Sequence, residues 1–346
     1  MLPSPLHRGV FMENQEKTTA KFKKNIALIG AGNWGKNHLR ELNRLGVLQK
    51  VMDPSSSIIA ERKTDFPEVD FVTDEKQVTA DPGIRAVVIA TPAELHYELT
   101  KKYLLAGKDV LVEKPLALTV KQAEELIDIA GKNERILMVG HILQYHPAVI
   151  KLKELIDQGD LGQIRYIYSN RLNIGKLRTE ENVLWSFAPH DISLIMMLMD
   201  GEEPLKVSAF GGAYVHHSIA DTTLTILEFK NGIKGHIFVS WLHPFKEQKL
   251  VVVGSEKMAV FDDVSKEKLF IYPHKIKWEK GKTPVAQKAD FNIVEFEQKQ
   301  PLTEELLHFI HCIETRKTPK TDGREGLKVL GILERAEKQL SQSLQE

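Results

Sequence analysis

Cysteine is nearly absent from this 346-residue chain, where Cys312 stands alone. A lone cysteine excludes an intrachain disulfide and any zinc or iron–sulfur site built on several thiolates, and a reducing, cytoplasmic setting is expected. Net charge is missing as well, because 47 lysines and arginines balance 47 aspartates and glutamates. No global field therefore draws the protein to nucleic acid or to an anionic membrane, and any anionic ligand must be held by local chemistry. The sequence has no run of about 18 or more apolar residues, the minimum for a spanning helix. Residues 1–24 lack the continuous apolar segment of a secretory signal and end in the polar run Glu13 to Lys24, so they read as a loose tail, or alternatively as a partner-binding arm. Internal repeats and low-complexity blocks are absent. No two histidines show the helical spacing of a zinc site with a matching carboxylate, so no metal is expected.

What is present is length enough for two domains and a clear change of texture between them. Between Asn25 and Met138 short β-branched runs alternate with longer helical patterns, the mark of βαβ units around a parallel sheet. Ile26 to Ile29, Val47 to Met52, Ala86 to Ala90, Val110 to Val112 and Ile136 to Val139 read as buried strands. Pro92 to Ala106 reads as a helix ended by Gly107, and Thr119 to Ala130 as a helix opened by a Thr119/Gln122 capping box. After His146 and Pro147 comes one amphipathic helix, Ala148 to Gln158. Strand patterns then dominate from Ile164 to Phe261, with Asn231-Gly232 as a hairpin turn. Runs of strands after an alternating half imply a second domain on a mostly antiparallel open sheet, closed by helices at Leu302 to Glu314 and Glu325 to Leu340. The expected boundaries are 25–146 and 147–346.

The first strand runs into Gly30-Ala31-Gly32-Asn33-Trp34-Gly35, which opens the helical segment Lys36 to Leu45. Gly30 permits a tight turn, Gly32 lets backbone approach a pyrophosphate, and Gly35 allows close packing of helix on strand. The second strand ends at Asp53, 18 residues after Gly35. A carboxylate there can accept both adenosine ribose hydroxyls, whereas a 2′-phosphate would bring charge against it. The expected fold class is therefore α/β, a doubly wound Rossmann sheet followed by an α+β domain, and the expected cofactor is NAD rather than NADP.

The strand Asp109 to Val112 delivers Glu113-Lys114-Pro115 at its carboxyl end, where ligands gather in such sheets. Ala90-Thr91-Pro92 with His96 follows a neighbouring strand and would flank the same cleft. These segments, with the glycine motif and Asp53, make the chain from Asn25 to about Leu340 resemble the Gfo/Idh/MocA family of sugar and cyclitol oxidoreductases. The resemblance implies that Lys114 lies beside the nicotinamide and the reacting carbinol. It further implies that Glu113 and Thr91, with Pro92 and His96 in the same segment, help hold the cofactor, and that the open sheet of the second domain carries self-association as a homodimer or homotetramer. An ammonium shielded from water beside a cationic ring has a lowered pKa, so it can pass a proton or polarise the substrate oxygen.

Leu184 to Ile192 matches the place where the family carries an aspartate and, four residues on, an acid/base histidine. His190 falls on the histidine, while Ser186 stands at the aspartate. Asp191 reads either as orienting the imidazole or, preferably, as capping a helix that starts there. Arg171, Asn173, Lys176 and Arg178 form a candidate pocket for a substrate carboxylate or diphosphate. His141 and Tyr145, in the crossover Gly140 to Pro147, are candidates for substrate or cofactor contact. Within the family, Arg171 to Ser193 looks most like the nucleotide-sugar members, such as those oxidising C3 of UDP-N-acetylglucosaminuronate before amination in surface-polysaccharide synthesis. The alternatives are an inositol or free-sugar dehydrogenase, and a catalytically silent NAD-binding sensor.

Overall fold

The computed structural model describes residues 23–175 and 177–344. All but the last two residues of the expected tail, and Lys176, lie outside the described residues.

The first half runs β1 (Ile26–Ile29), α1 (Gly35–Arg44), β2 (Leu48–Met52), α2 (Ser56–Asp65), β3 (Phe71–Val72), α3 (Lys76–Thr79), β4 (Ala86–Ile89), α4 (His96–Leu105), β5 (Asp109–Glu113), α5 (Val120–Lys132) and β6 (Leu137–Gly140). Its strands pair in parallel in the order β3-β2-β1-β4-β5-β6. This is the doubly wound order, whose reversal beside β1 opens a crevice at the carboxyl ends of the strands. Every residue of β1, β4 and β6 is buried, as strands covered by helices on both faces must be.

The second half runs α6 (Pro147–Asp157), β7 (Ile164–Leu172), α7 (Val183–Leu198), β8 (Lys206–Gly212), β9 (Thr222–Glu228), β10 (Lys234–Ser240), β11 (Glu247–Gly254), β12 (Met258–Asp262), β13 (Leu269–Tyr272), a small hairpin β14 (Lys275–Lys277) with β15 (Val285–Gln287), β16 (Asn292–Ile293), α8 (Pro301–Thr315) and α9 (Gly323–Ser343). Eight strands form one sheet, β16-β13-β12-β11-β7-β10-β9-β8, antiparallel except at β7/β10. One face packs on α7 and α9 through Ile167, Ile237, Val239, Ile195 and Leu333. The strand alternation read from the sequence follows from this one-sided burial.

Local chemistry accounts for most boundaries. The Thr119 hydroxyl caps α5 by accepting from Gln122 N at 3.2 Å, although the Gln122 side chain reaches Leu118 N instead of closing the box on Thr119. Asn231 and Gly232 both take positive φ, 58° and 77°, as the hairpin turn requires. The helix expected over Pro92–Ala106 starts late, because Pro92 is extended (ψ 147°) and Ala93–Leu95 forms a 3-10 turn before α4. A larger correction concerns α7. It begins at Val183, capped by Asn182 accepting from Trp185 N, and runs through Pro189, so Asp191 lies in mid-helix and caps nothing.

The last two helices return to the first half. Leu302, Leu306, Phe309 and Ile313 of α8 join the core beneath β1 and α1. Leader residue Thr321 accepts from Val139 N at 2.8 Å, clipping the start of α9 to β6. Downstream, Leu330 faces the parallel-sheet core while Leu333 and Ala336 face the second sheet.

Candidate active site

The glycine loop is built as its spacing demands. Gly30 sits at φ 90°, a conformation that penalises a side chain, and a Cβ there would lie 2.7 Å from Ala90 O. A Cβ on Gly35 would fall 2.1 Å from Gly30 O, so the helix can approach the strand only with glycine. Gly32 has nothing within 4 Å of its Cβ position, and the backbone there is open. The first turn of α1 has neither a side-chain cap nor an acidic residue. Uncapped N–H groups at a helix start suit a pyrophosphate, so the residues fit a dinucleotide. Asp53, at the tip of β2, is fixed by accepting from Ala31 N (2.8 Å) and Ser55 N (2.9 Å). Thr91 Oγ1 is buried without a partner among the described residues. Both ring nitrogens of His96 meet carbonyls, Pro115 O at 2.7 Å and Thr91 O at 3.0 Å, so His96 ties the loops after β4 and β5 together.

Glu113 is the hub of the crevice. Its Oε1 accepts from the Trp34 indole and lies 2.7 Å from His38 Nε2. Burial alone would raise its pKa, but His38, Trp34 and Lys114 hold the carboxyl below the usual range. The partners arrive from α1 and the glycine loop, remote in sequence, which is why sequence reading found Glu113 but neither His38 nor the Trp34 bond. A Cβ on Gly140 would sit 3.0 Å from the Glu113 carboxylate, so glycine at the end of β6 leaves room for it. Nearby, Glu305 of α8 is fully buried, and neither carboxyl oxygen has a hydrogen-bond partner among the described residues. Burial first, and the charge of Glu113 second, push its pKa well above the usual carboxylate value.

Across the seam, Lys114 Nζ donates to Ser186 O at 2.9 Å. Ser186 lies one helical turn before His190 on α7, so the bond brings the lysine to the turn that precedes the imidazole. Burial lowers the Lys114 pKa, with Glu181 and Glu113 opposing and Arg178 and Arg171 assisting. Burial and then the positive charges of Lys114, Arg171 and His141 hold His190 well below the ordinary histidine value. Its Nδ1 and the Ser186 hydroxyl are both buried without a partner among the described residues.

Two of the basic residues offered for a substrate anion, Arg171 and Arg178, are engaged. Arg171 forms a two-pronged pair with Asp191, at 2.9 and 3.1 Å, and Arg178 pairs with Glu181 at 2.7 Å. Ser169 also donates to Asp191, at 2.5 Å, so the aspartate is turned to β7 and not to the imidazole beside it. Asn173 is held through its backbone N–H to Ser240 O. Tyr145 is buried with its hydroxyl 3.1 Å from Thr321 Oγ1. His141 Nδ1 meets Glu325 Oε2 at 2.5 Å, a partner 184 positions away that no local pattern announces.

A glycine loop with open backbone at an uncapped helix start fits a dinucleotide, and Lys114 stands within hydrogen-bond reach of α7 of the second half. The class is thus a dinucleotide-dependent oxidoreductase. The chain belongs to the Gfo/Idh/MocA oxidoreductase family: residues 24–141 match its NAD-binding Rossmann fold and residues 149–260 its C-terminal domain. It binds NAD and acts on CH–OH groups. Among its relatives, a UDP-N-acetylglucosamine 3-dehydrogenase of Acidithiobacillus ferrooxidans is 28% identical over 309 residues, 88% of this chain and 93% of the relative. A solved structure of that enzyme superimposes with a TM-score of 0.80 at 25% identity, covering 93% of this chain and 99% of the other. A myo-inositol 2-dehydrogenase of Thermotoga maritima is 24% identical over 329 residues, 92% of this chain and 96% of that one.

Proposed function

We propose that the protein oxidises the C3 carbinol of a UDP-N-acetylhexosamine to the ketone, with NAD as acceptor. The observation that carries this reading is the Lys114–Ser186 hydrogen bond, which sets an ammonium beside the helix turn bearing His190. The similarity to the UDP-N-acetylglucosamine 3-dehydrogenase, nearly end to end, supports the substrate class. Gly30, Gly32, Asn33, Trp34 and Gly35 hold the pyrophosphate, Asp53 the adenosine ribose, and Thr91, Pro92, His96 and Glu113 the nicotinamide half. Bound NAD supplies the hydride acceptor. Lys114 polarises the substrate oxygen, and the neutral His190 takes its proton. Because Arg171 and Arg178 are neutralised by Asp191 and Glu181, a neutral hexosamine suits the pocket better than the uronate. A second reading, an inositol dehydrogenase, draws on the equally long match to the Thermotoga enzyme. Self-association through the outer face of the large sheet is supported by Phe210, Leu224 and Phe238, which line up across β8, β9 and β10, the first two exposed.

The test is NADH formation by purified protein with NAD and UDP-N-acetylglucosamine, its uronate, myo-inositol and free sugars. The hexosamine nucleotide is expected to react fastest. Oxidation of inositol with no reaction of either nucleotide sugar would replace this reading by the second, and no turnover of any carbinol would leave a silent NAD-binding sensor.

A further inference from the structure

We propose that the β14/β15 hairpin is an exchanged arm: in a pair of copies of this chain, the apolar face of each hairpin seats in a groove on the outer face of the other copy's large sheet. This rests on self-association through that face and names the element that completes the contact.

The hairpin has no support of its own. Strands β14 and β15 form a separate two-stranded sheet that no third strand joins among the described residues, and every residue from 275 to 293 is exposed. A bare two-stranded hairpin is marginal in water, so a surface that covers it stabilises it. Its residues alternate. Ile276 and Trp278 fall on one face with Ala286, the cross-strand neighbour of Ile276, while Lys275 and Lys277 fall on the other. Ile276 is 68% and Trp278 75% exposed, and large apolar side chains bare on one face mark a contact surface.

The same stripe begins on the sheet. Leu269 and Ile271 of β13 face the core, so Phe270 and Tyr272 face outward. Both touch Phe291, with ring centres 5.5 and 5.6 Å apart, and Tyr272 touches His274 at 5.3 Å. These rings carry the outer face of the sheet onto the hairpin.

The groove lies elsewhere on that face, over β7, β9 and β10. Tyr166, Leu224, Ile226, His236 and Phe238 line it, and it encloses about 530 Å3. The hairpin does not fill the groove of its own chain. In the order β13-β12-β11-β7-β10 its root stands four strands from β10, about 19 Å away at the usual strand spacing. Lys275 holds it there by pairing with Glu256, at 2.8 Å, in the turn between β11 and β12. A second copy related by a two-fold axis covers both features at once, since each arm meets the other's groove and the contact closes. The area agrees. Phe210, Leu224, Ile276, Trp278, Phe291 and Ile293 are all exposed on this surface. At roughly 150–250 Å2 for a wholly exposed aromatic, they approach the ~800 Å2 per partner of a stable pair. The zero net charge of the chain disfavours an anionic bilayer as the occupant.

Sedimentation equilibrium of the full chain tests the exchange. The wild type is expected to pair, and Trp278→Glu, at a position exposed in the single chain, to weaken the pair by ~30-fold or more. Leu224→Glu in the groove should do the same. A variant carrying both Trp278→Cys and Leu224→Cys should be joined into covalent dimers by a short bismaleimide, Cys312 being buried. A pair that Trp278→Glu leaves intact, or cross-links confined to single chains, would overturn the exchange while sheet-face association stands. A wild type that is monomeric at every concentration would sink both readings, and one that is monomeric yet sediments with phosphatidylglycerol vesicles would give the arm to a bilayer instead.

Discussion

Arg171 and Asp191 are joined by two hydrogen bonds, 2.9 and 3.1 Å, both residues buried, linking β7 to the middle of α7. The pair fixes the helix that presents Ser186 to Lys114 and carries His190, and it removes both charges from the reach of a substrate anion. Breaking one side leaves a charge buried and unpaired.

Asp191→Ala is accordingly expected to destabilise the fold by about 3–5 kcal/mol, and Arg171→Met combined with Asp191→Leu by distinctly less. Denaturant unfolding of the three proteins measures this; equal losses in single and double variants would show that the pair contributes little through its charges.

Lys114→Ala is expected to cut kcat by about 100-fold or more while NAD binding, followed by Trp34 fluorescence or calorimetry, changes little. His190→Ala should do likewise. Turnover that survives both substitutions would move the chemistry elsewhere.

The glycine loop separates two effects that are usually confounded. Gly32→Ala has free space for its methyl, so its melting temperature without cofactor should match the wild type while NAD affinity falls. Gly35→Ala drives a methyl into Gly30 O and should lower the melting temperature itself. A Gly32→Ala protein with unchanged NAD affinity would contradict a pyrophosphate at that backbone.

His146 gives a pH dependence. It caps α6 by accepting from Ala148 N at 3.1 Å, which only an unprotonated Nδ1 can do. Burial, partly offset by Asp263 and assisted by Lys268, lowers its pKa from 6.5 to about 4. A folded value below the unfolded one means the unfolded chain binds the proton first, so stability is full above pH 6.5 and is lost as pH falls toward about 4. His146→Asn keeps a capping oxygen and should flatten the melting-temperature profile over that interval. A profile identical to the wild type would assign the acid sensitivity to other groups.

Much of this architecture is legible in the sequence because it is written locally. The glycine spacing, the acid ending β2, the alternation of the second domain and the Asn231-Gly232 turn each depend on residues near one another in the chain. The two-residue edge strand β3 and helix α2, which buries only Ile59 and Arg62, carry too little apolar pattern to register. In the site, Lys114 and His190 could be named from their segments. The partners of Arg171, His141 and Glu113 could not, since Asp191, Glu325 and His38 reach them only after the chain has folded. Asp191, expected to cap a helix or to orient the imidazole, lies in mid-helix because α7 starts eight residues earlier at Val183 and carries Pro189 in its interior. Proline inside a helix removes one N–H donor, a cost the burial of Leu184, Ile192 and Ile195 on either side offsets.

The return of α8 to the core under β1 has a consequence for how the protein comes into being. On the ribosome, the nucleotide-binding half leaves the exit tunnel with a hydrophobic trough that Leu306 and Phe309 fill only after the second half has been made. Its final consolidation therefore waits for α8, and a fragment cut at the midpoint would carry that trough bare into solvent.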